Sequence, residues 1–221
     1  MVENTAIAPR TKTRHRPSTR TQILNHAVDI ASEQGLEGLT IGRLAKTLGM
    51  SKSGLFAHFG SKEDLQLATV KAARDVFITE VVEPSENAEN GLKKLDMMVA
   101  CWLSYVARNV FRGGCFFSAA SAEFDGRPGP VRNLIAALTK AWVDSMTAEA
   151  RTALENGEIA EDEDPDQLVF ELHALVQEAN WAYQLHNQVN AFDRARRGIE
   201  QRLKNIATVE TKTSIVQEDN Q

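Results

Sequence analysis

The stretch "LTIGRLAKTLGMSKSGLFAHFGSKEDL", residues 39–65, decides how the rest of the chain is read. Two short apolar-periodic segments stand on either side of Gly49. In the first, Ile41, Leu44, Ala45 and Leu48 recur at the three- and four-residue spacing of one helix face. Thr40 stands just before it, where a side-chain oxygen takes up a free N–H of the first turn. In the second, Leu55 and Phe59 supply the buried face and Ser51 the cap. Gly49 between them predicts a helix end that relaxes into the left-handed conformation. Ser61 and Asp64 repeat the capping pattern and open a longer helix. Two short helices joined by a tight glycine turn and packed on a preceding helix make a helix-turn-helix unit. From Ser51 onward the stretch carries Lys52, His58 and Lys62, and no acid until Glu63.

Working outward, the remaining chain also reads as helix, without strand-like alternation. Upstream, Thr19 and Gln22 form a capping-box pattern for a first helix with Ile23, Ala27 and Ile30 on one face, stopped at Gly35. Downstream, the helix opened by Ser61 is predicted to end by Pro84. Leu92, Leu95, Val99, Trp102 and Val106 share a face of a helix ending near Arg108. "RGGC" breaks it, "CFFSAASAEF" forms a short helix and "DGRPGP" a loop. Val131, Leu134, Ile135, Leu138, Ala141 and Trp142 begin a long helix closing near Gly157. The acidic "EIAEDEDPD" leads into two final helices, roughly 166–186 and 191–206. These boundaries divide the chain into a basic arm (1–16), a helix-turn-helix domain (17–65), a connecting helix (66–84), a larger helical domain (85–208) and a tail (209–221). Arm and tail lack any apolar period and read as disordered.

Composition narrows the function. The 221 residues are 43% hydrophobic and 25% charged, as in soluble globular proteins. The longest nearly apolar run, 97–107, is too short to span a membrane, and no apolar stretch follows the basic N-terminus as a secretory signal requires. A cytoplasmic protein without membrane association is expected. The net charge of −5 divides into +3 over residues 1–65 and −8 over the remainder, so only the head suits a polyanion. Cys101 and Cys115 allow one disulfide by arithmetic, but two buried free thiols are the favoured reading. The histidines at 15, 26, 58, 173 and 186 have no metal-ligand spacing, and no nucleophile elbow, phosphate loop or dinucleotide fingerprint occurs. No catalytic residue, metal site or cofactor is expected, and the chain is not read as an enzyme.

The residues quoted at the outset, with the capped Thr40, "LA" at 44–45, the Gly49 turn, Ser51, the Leu55–Phe59 pair and "SKEDL", resemble the DNA-binding segment of the TetR family of bacterial transcription regulators, from about Arg20 to Ala73. The resemblance implies an all-α fold: a three-helix DNA-binding domain with a helix-turn-helix, then a larger helical ligand-binding and dimerisation domain. It also implies that Thr40, Ser51, His58 and Lys62 contact phosphate or orient the recognition helix. Lys52, Ser53, Phe56 and His58 lie on or near that helix's exposed side, and Arg43 reaches phosphate or a base edge. Phe56 stands where relatives often have Tyr, and Gly42 offers no side chain where some place a base reader. The recognition helix has no Arg, Asn or Gln, so sequence preference falls to Lys52, to Arg43 or to DNA shape. The arm "APRTKTRHRPSTR" either follows the minor groove and phosphates or only solubilises the chain.

For the larger domain, the resemblance implies a homodimer, a palindromic double-stranded DNA operator and an effector held between helices. Phe192, Ala195, Ile199, Leu203 and Ile206 form a narrow apolar stripe on the last helix. The helix before it is apolar on two sides, with Leu168, Leu172, Leu175 and Ala179 on one and Phe170, Ala174, Trp181 and Leu185 on the other. A dimer interface is expected at Leu172, Leu175, Ala179, Phe192, Ala195, Ile199 and Leu203. Trp102, Tyr105, Phe116, Phe117, Trp142, Met146 and Trp181 are candidates for a cavity taking a small apolar or aromatic effector. The reading is a homodimeric repressor released by a small molecule. The rival readings are an all-helical carrier or enzyme with a helix-turn-helix-like corner, and a regulator answering to a protein partner. Activation rather than repression also stays open.

Overall fold

The computed structural model describes residues 19–209 and Thr211. The basic arm expected at 1–16, and all of the tail expected at 209–221 except Val209 and Thr211, lie outside these residues. The head begins with α1 (Thr19–Gln34). Thr19 is itself helical, so it does not serve as the cap that its spacing to Gln22 suggests. Gly35, at φ 82°, ends the helix as expected, and its N–H reaches Ala31 O at 3.0 Å. Helix α2 (Ile41–Leu48) starts where Thr40 Oγ1 accepts the Arg43 N–H at 3.2 Å, and it stops at Gly49, φ 63°. Helix α3 (Lys52–Phe59) opens with Ser51 Oγ accepting the Gly54 N–H at 3.0 Å. Leu39, Leu44, Leu55, Phe59 and Leu65 are buried with Ile23 and Val28 of α1 to form the core beneath these two helices.

Helix α4 (Lys62–Phe77) is capped by Ser61, whose hydroxyl accepts the Asp64 N–H at 3.0 Å and donates to Asp64 Oδ2 at 2.6 Å. Helix α4 ends at Phe77, before Pro84 as expected, but the chain does not leave the helical path there. The chain stays helical through a wide π-type turn (Ile78–Val82) into a short α5 (Glu83–Ser85). In the wide turn the Glu83 N–H bonds back to Ile78 O. The bonding pattern therefore restarts just before Pro84, which falls in the first turn of a new segment, where a missing N–H leaves no bond unmade.

The body is built from α6 (Leu92–Ala107), α7 (Phe116–Phe124), α8 (Pro130–Glu155), α9 (Pro165–His186) and α10 (Ala191–Ile206). Leu95, Val99, Trp102 and Val106 of α6 are buried as the apolar period predicts, and α6 packs on α9, whose Leu168, Leu172 and Val176 are buried too. Helix α9 packs on α6, α8 and α10, and α7 packs on α1 and α8. One arginine ties the far end together: the Arg202 fork donates to both Glu163 oxygens, at 2.5 and 3.0 Å, and its Nε to Glu171. Among the described residues the only extended pairing is an isolated bridge between Ile159 and Ala207. Cys101 is half-buried, Cys115 is buried, and both thiols are free.

The residues of the expected dimer stripe are placed as follows within the single chain. Leu172, Ala179, Phe192, Ala195, Ile199 and Leu203 are buried within the chain and Leu175 is half-buried; α9 packs on α6, α8 and α10, and α10 on α9 and α6. Periodicity shows which residues share a face but not which neighbour that face meets. What α9 turns outward is its other apolar row: Phe170 (69% exposed), Trp181 (51%) and Leu185 (60%), with exposed Ala174 between them.

The loop between α6 and α7 lies against the end of α1, so that a methyl group on Gly113 would overlap the Ser32 carbonyl oxygen. Gly113→Ala is expected to destabilise the chain by about 3 kcal/mol, the upper range of overpacking effects. Urea denaturation followed by circular dichroism measures this, and an unchanged midpoint would contradict the close approach.

Candidate functional site

Two surfaces are candidates. The first is the solvent side of α2 and α3. Arg43, Lys46, Lys52, Ser53, Phe56 and His58 are exposed there, and no carboxylate side chain occurs between Thr40 and Lys62. The Lys52 side chain lies across Gly42: its Cε is 3.2 Å from where a Cβ on that glycine would stand. The missing side chain at Gly42 thus gives Lys52 its path between the two helices. Phe56 is 54% exposed, a large ring held outward by a helix whose inner face is Leu55 and Phe59. Thr40 and Ser51 have a definite local task, since their oxygens cap α2 and α3; Ser53 Oγ lies 3.2 Å from Ser51 Oγ. Both hydroxyls still point from exposed helix starts, where backbone N–H groups favour anions.

Lys62 is placed differently from the others. It is half-buried, and its Nζ donates to Glu37 Oε1 at 2.5 Å. The second Glu37 oxygen receives Gln66 Nε2 at 3.3 Å and lies 3.6 Å from Arg127 Nη1. The hydrogen bond from Lys62 holds the Glu37 carboxyl below the ordinary carboxylate range. Any phosphate that engages Lys62 must therefore compete with Glu37.

The second candidate is a cavity of about 750 Å³ inside the body. Phe77 and Ile78, from the end of α4 and the wide turn, form one side. Trp102, Phe117, Trp142 and His173 supply further rings, and Ser118, Ser121, Thr139 and Gln177 supply polar groups. The rings meet edge to face: Phe77 and Trp142 centroids are 5.0 Å apart and Trp102 and Trp142 6.0 Å, while His173 lies 4.9 Å from Trp102. Burial pushes the His173 imidazole below its usual range, which keeps it uncharged at neutral pH. Ser118 donates to Gln177 Oε1. Arg74 and Lys140 also border the space, but each has a carboxylate, Asp75 at 2.5 Å and Asp144 at 2.6 Å. The indole N–H groups of Trp102 and Trp142 are buried without a hydrogen-bond partner among the described residues.

Of the residues expected to line a cavity, the structure brings together Trp102, Phe117 and Trp142. Tyr105, Phe116 and Met146 are core residues outside the lining, and burial pushes the Tyr105 hydroxyl well above its usual range. Trp181 is on the outer face of α9, with its ring 4.7 Å from that of His186. Sequence reasoning missed Phe77, His173, Ser118 and Gln177. A histidine and a glutamine four residues apart on a helix with two apolar faces were the available signal. No group of three or more His, Cys, Asp or Glu able to hold a metal occurs among the described residues, and no helix there is long and apolar enough to cross a membrane.

Comparison with known proteins finds two matching stretches of the chain. The profile of bacterial regulatory proteins of the tetR family matches residues 23–69, and that of the tetracyclin repressor-like C-terminal domain matches residues 91–199. The chain belongs to the TetR family. A TetR transcriptional regulator from Chloroflexus aurantiacus superposes with a TM-score of 0.78 at 21% identity, over 86% of this chain and 96% of that one. The structure of AibR in complex with isovaleryl coenzyme A and operator DNA gives a TM-score of 0.65 at 22% identity, over 81% and 95% of the two chains. Among curated relatives, the transcriptional repressor AcnR of Corynebacterium diphtheriae is 44% identical over 75 residues, 33% of this chain and 35% of that protein. The chain spans between about a third and a half of the length of the curated relatives it matches first.

The cavity histidine sets a pH dependence. Its folded-state pKa is depressed, so below the unfolded value of about 6.5 the unfolded chain takes up a proton that the folded chain refuses. His173 therefore adds stability above that pH and loses it as pH falls toward the folded value. Urea titrations across this window should show a steeper loss on acidification for the native chain than for His173→Phe.

Proposed function

We propose that this TetR-family chain is a homodimeric transcriptional repressor that binds a palindromic operator through α2 and α3 and is released by a small molecule in the aromatic cavity. The observation that carries the reading is the continuous run from Lys62 to Ser85, which joins an acid-free surface bearing Lys52 and Phe56 to a cavity wall at Phe77 and Ile78. Residues 17–65 act as the DNA-binding domain, 66–84 as the connector, and 85–208 as the effector and dimerisation domain. Lys52 and Phe56 enter the major groove, Arg43 and His58 flank them, and Thr40, Ser51, Ser53 and Lys62 set the helix on the phosphates. Repression is supported by the curated relatives named as repressors, AcnR and the negative regulator IcaR of Staphylococcus aureus. AibR, crystallised with both a ligand and operator DNA, supports effector control within this fold.

The effector is an uncharged, largely apolar or aromatic molecule. His173 is neutral and the bordering cations are already paired, so the cavity offers a net charge no counter-ion. Dimerisation uses the outer row of α9, Phe170, Ala174, Trp181 and Leu185, in place of the stripe buried within the chain. An apolar row this exposed is most simply covered by its own symmetry mate. The protein acts in the cytoplasm beside the chromosome and has no catalytic role.

Fluorescence anisotropy with the duplex just upstream of the gene, over a salt series, tests the reading. Steep salt dependence and two chains per site are expected, and equal weak binding to every duplex would defeat it. Lys52→Ala should change the sequence preference, by about 1–3 kcal/mol at its base pair. Lys62→Ala should weaken binding by a similar factor on every duplex. Trp181→Glu should convert dimer to monomer in analytical ultracentrifugation and lower operator affinity with it.

A further inference from the structure

Helix α7 meets two parts of the molecule at once. Phe117, Ser118 and Ser121 stand in the cavity wall. Two residues beyond Ser121, Glu123 reaches the head, where Oε2 accepts the Leu36 N–H at 2.7 Å and Oε1 the Glu37 N–H at 3.0 Å. These amides belong to the turn between Gly35 and Thr40, past the end of α1, and the carboxylate is the partner they have there. Gly35 lies directly beneath it: a Cβ at that position would stand 2.8 Å from Glu123 Oε1. On the head side, Gln66 Nε2 of α4 donates to Leu36 O at 3.0 Å, and Glu37 holds Lys62. The turn is thus gripped by α7 from one side and α4 from the other, and it leads within three residues to the cap of α2.

We propose that Glu123 is the positioning residue through which the cavity sets the orientation of the helix-turn-helix, with α7 acting as a strut. A carboxylate that accepts two backbone N–H groups makes strong, directional bonds. A strut moved outward by an occupant at Ser118 and Ser121 must carry the turn with it or leave both amides unpaired. Either result repositions Thr40 and α2 relative to α4. This inference rests on the reading of the chain as an effector-controlled DNA-binding protein.

A double-mutant cycle on the full chain tests it without an identified effector. Ser121→Phe places a ring in the cavity wall to stand in for an occupant, and Ser121→Leu replaces it should the larger residue prevent folding. Glu123→Gln keeps the shape of the clasp and removes its charge. Two readouts are taken for each chain: affinity for a duplex selected from random DNA by the native protein, and hydrogen exchange at the amides of Leu36 and Glu37.

Glu123→Gln is expected to speed exchange at both amides about tenfold and to weaken the selected duplex by a similar factor, leaving affinity for unrelated duplexes unchanged. Glu123→Asp should restore part of both. Ser121→Phe should weaken DNA binding in the otherwise native chain and have less than half that effect when combined with Glu123→Gln. Additive effects, or native exchange rates in Glu123→Gln, would overturn the proposal. Failure of the native chain to select any duplex would sink the regulator reading instead, while the exchange data still decide whether Glu123 holds the turn.

Discussion

Helix α4 is buried on two sides, and that double burial constrains everything else in the chain. Leu65, Ala68, Val70 and Ala73 are inaccessible to solvent or nearly so, and the helix packs on α1 in the head and on α8 in the body. Apolar burial of this kind is strong but has no direction of its own. Direction comes from the polar fittings along the same helix: the Ser61 cap, Gln66 reaching the Leu36 carbonyl and Thr69 bonding back to Leu65. A helix that belongs to two cores cannot shift in one without disturbing the other. Head and body are accordingly coupled by packing before any particular side chain is considered.

Much of this was legible in the sequence, for reasons that are local. Helices α2 and α3 have the limits their caps announce, because Thr40, Ser51 and Gly49 act within four residues of themselves and need no tertiary help. The α6 stripe from Leu92 to Val106 faces inward because a single apolar face has one place to go. What could not be read was which of two apolar faces meets which neighbour. Leu172 and Phe192 pack on their own chain while Phe170 and Trp181 face outward, and both sets show the same helical period. The wide turn between Phe77 and Pro84 was not legible either: it resets the hydrogen-bond count, and nothing in the residue types from Ile78 to Val82 signals this.

The cavity was half-read for a physical reason too. Its rings are large and apolar, so the sequence could nominate them, but Tyr105 and Met146 have the same chemistry and lie in dense core. Ser118 and Gln177 look like ordinary helix-surface residues until α7 and α9 bring them together. Between them the rings and these polar side chains border a space of about 750 Å³, with the indole N–H groups of Trp102 and Trp142 buried close by.

The wide turn at Ile78–Val82 also has a mechanical meaning. An α-helix resists twisting because every residue is clamped to one four places away, and a turn with a five-residue clamp carries one surplus residue. If that surplus moved along the helix, the side chains it passed would rotate by about 100° around the axis without the helix breaking. The run from Lys62 to Ser85 thus has one place where the surplus residue is held without a break in the helix. That turn borders the cavity through Ile78 and Val82, while the other end of the run carries the Ser61 cap beside Lys62.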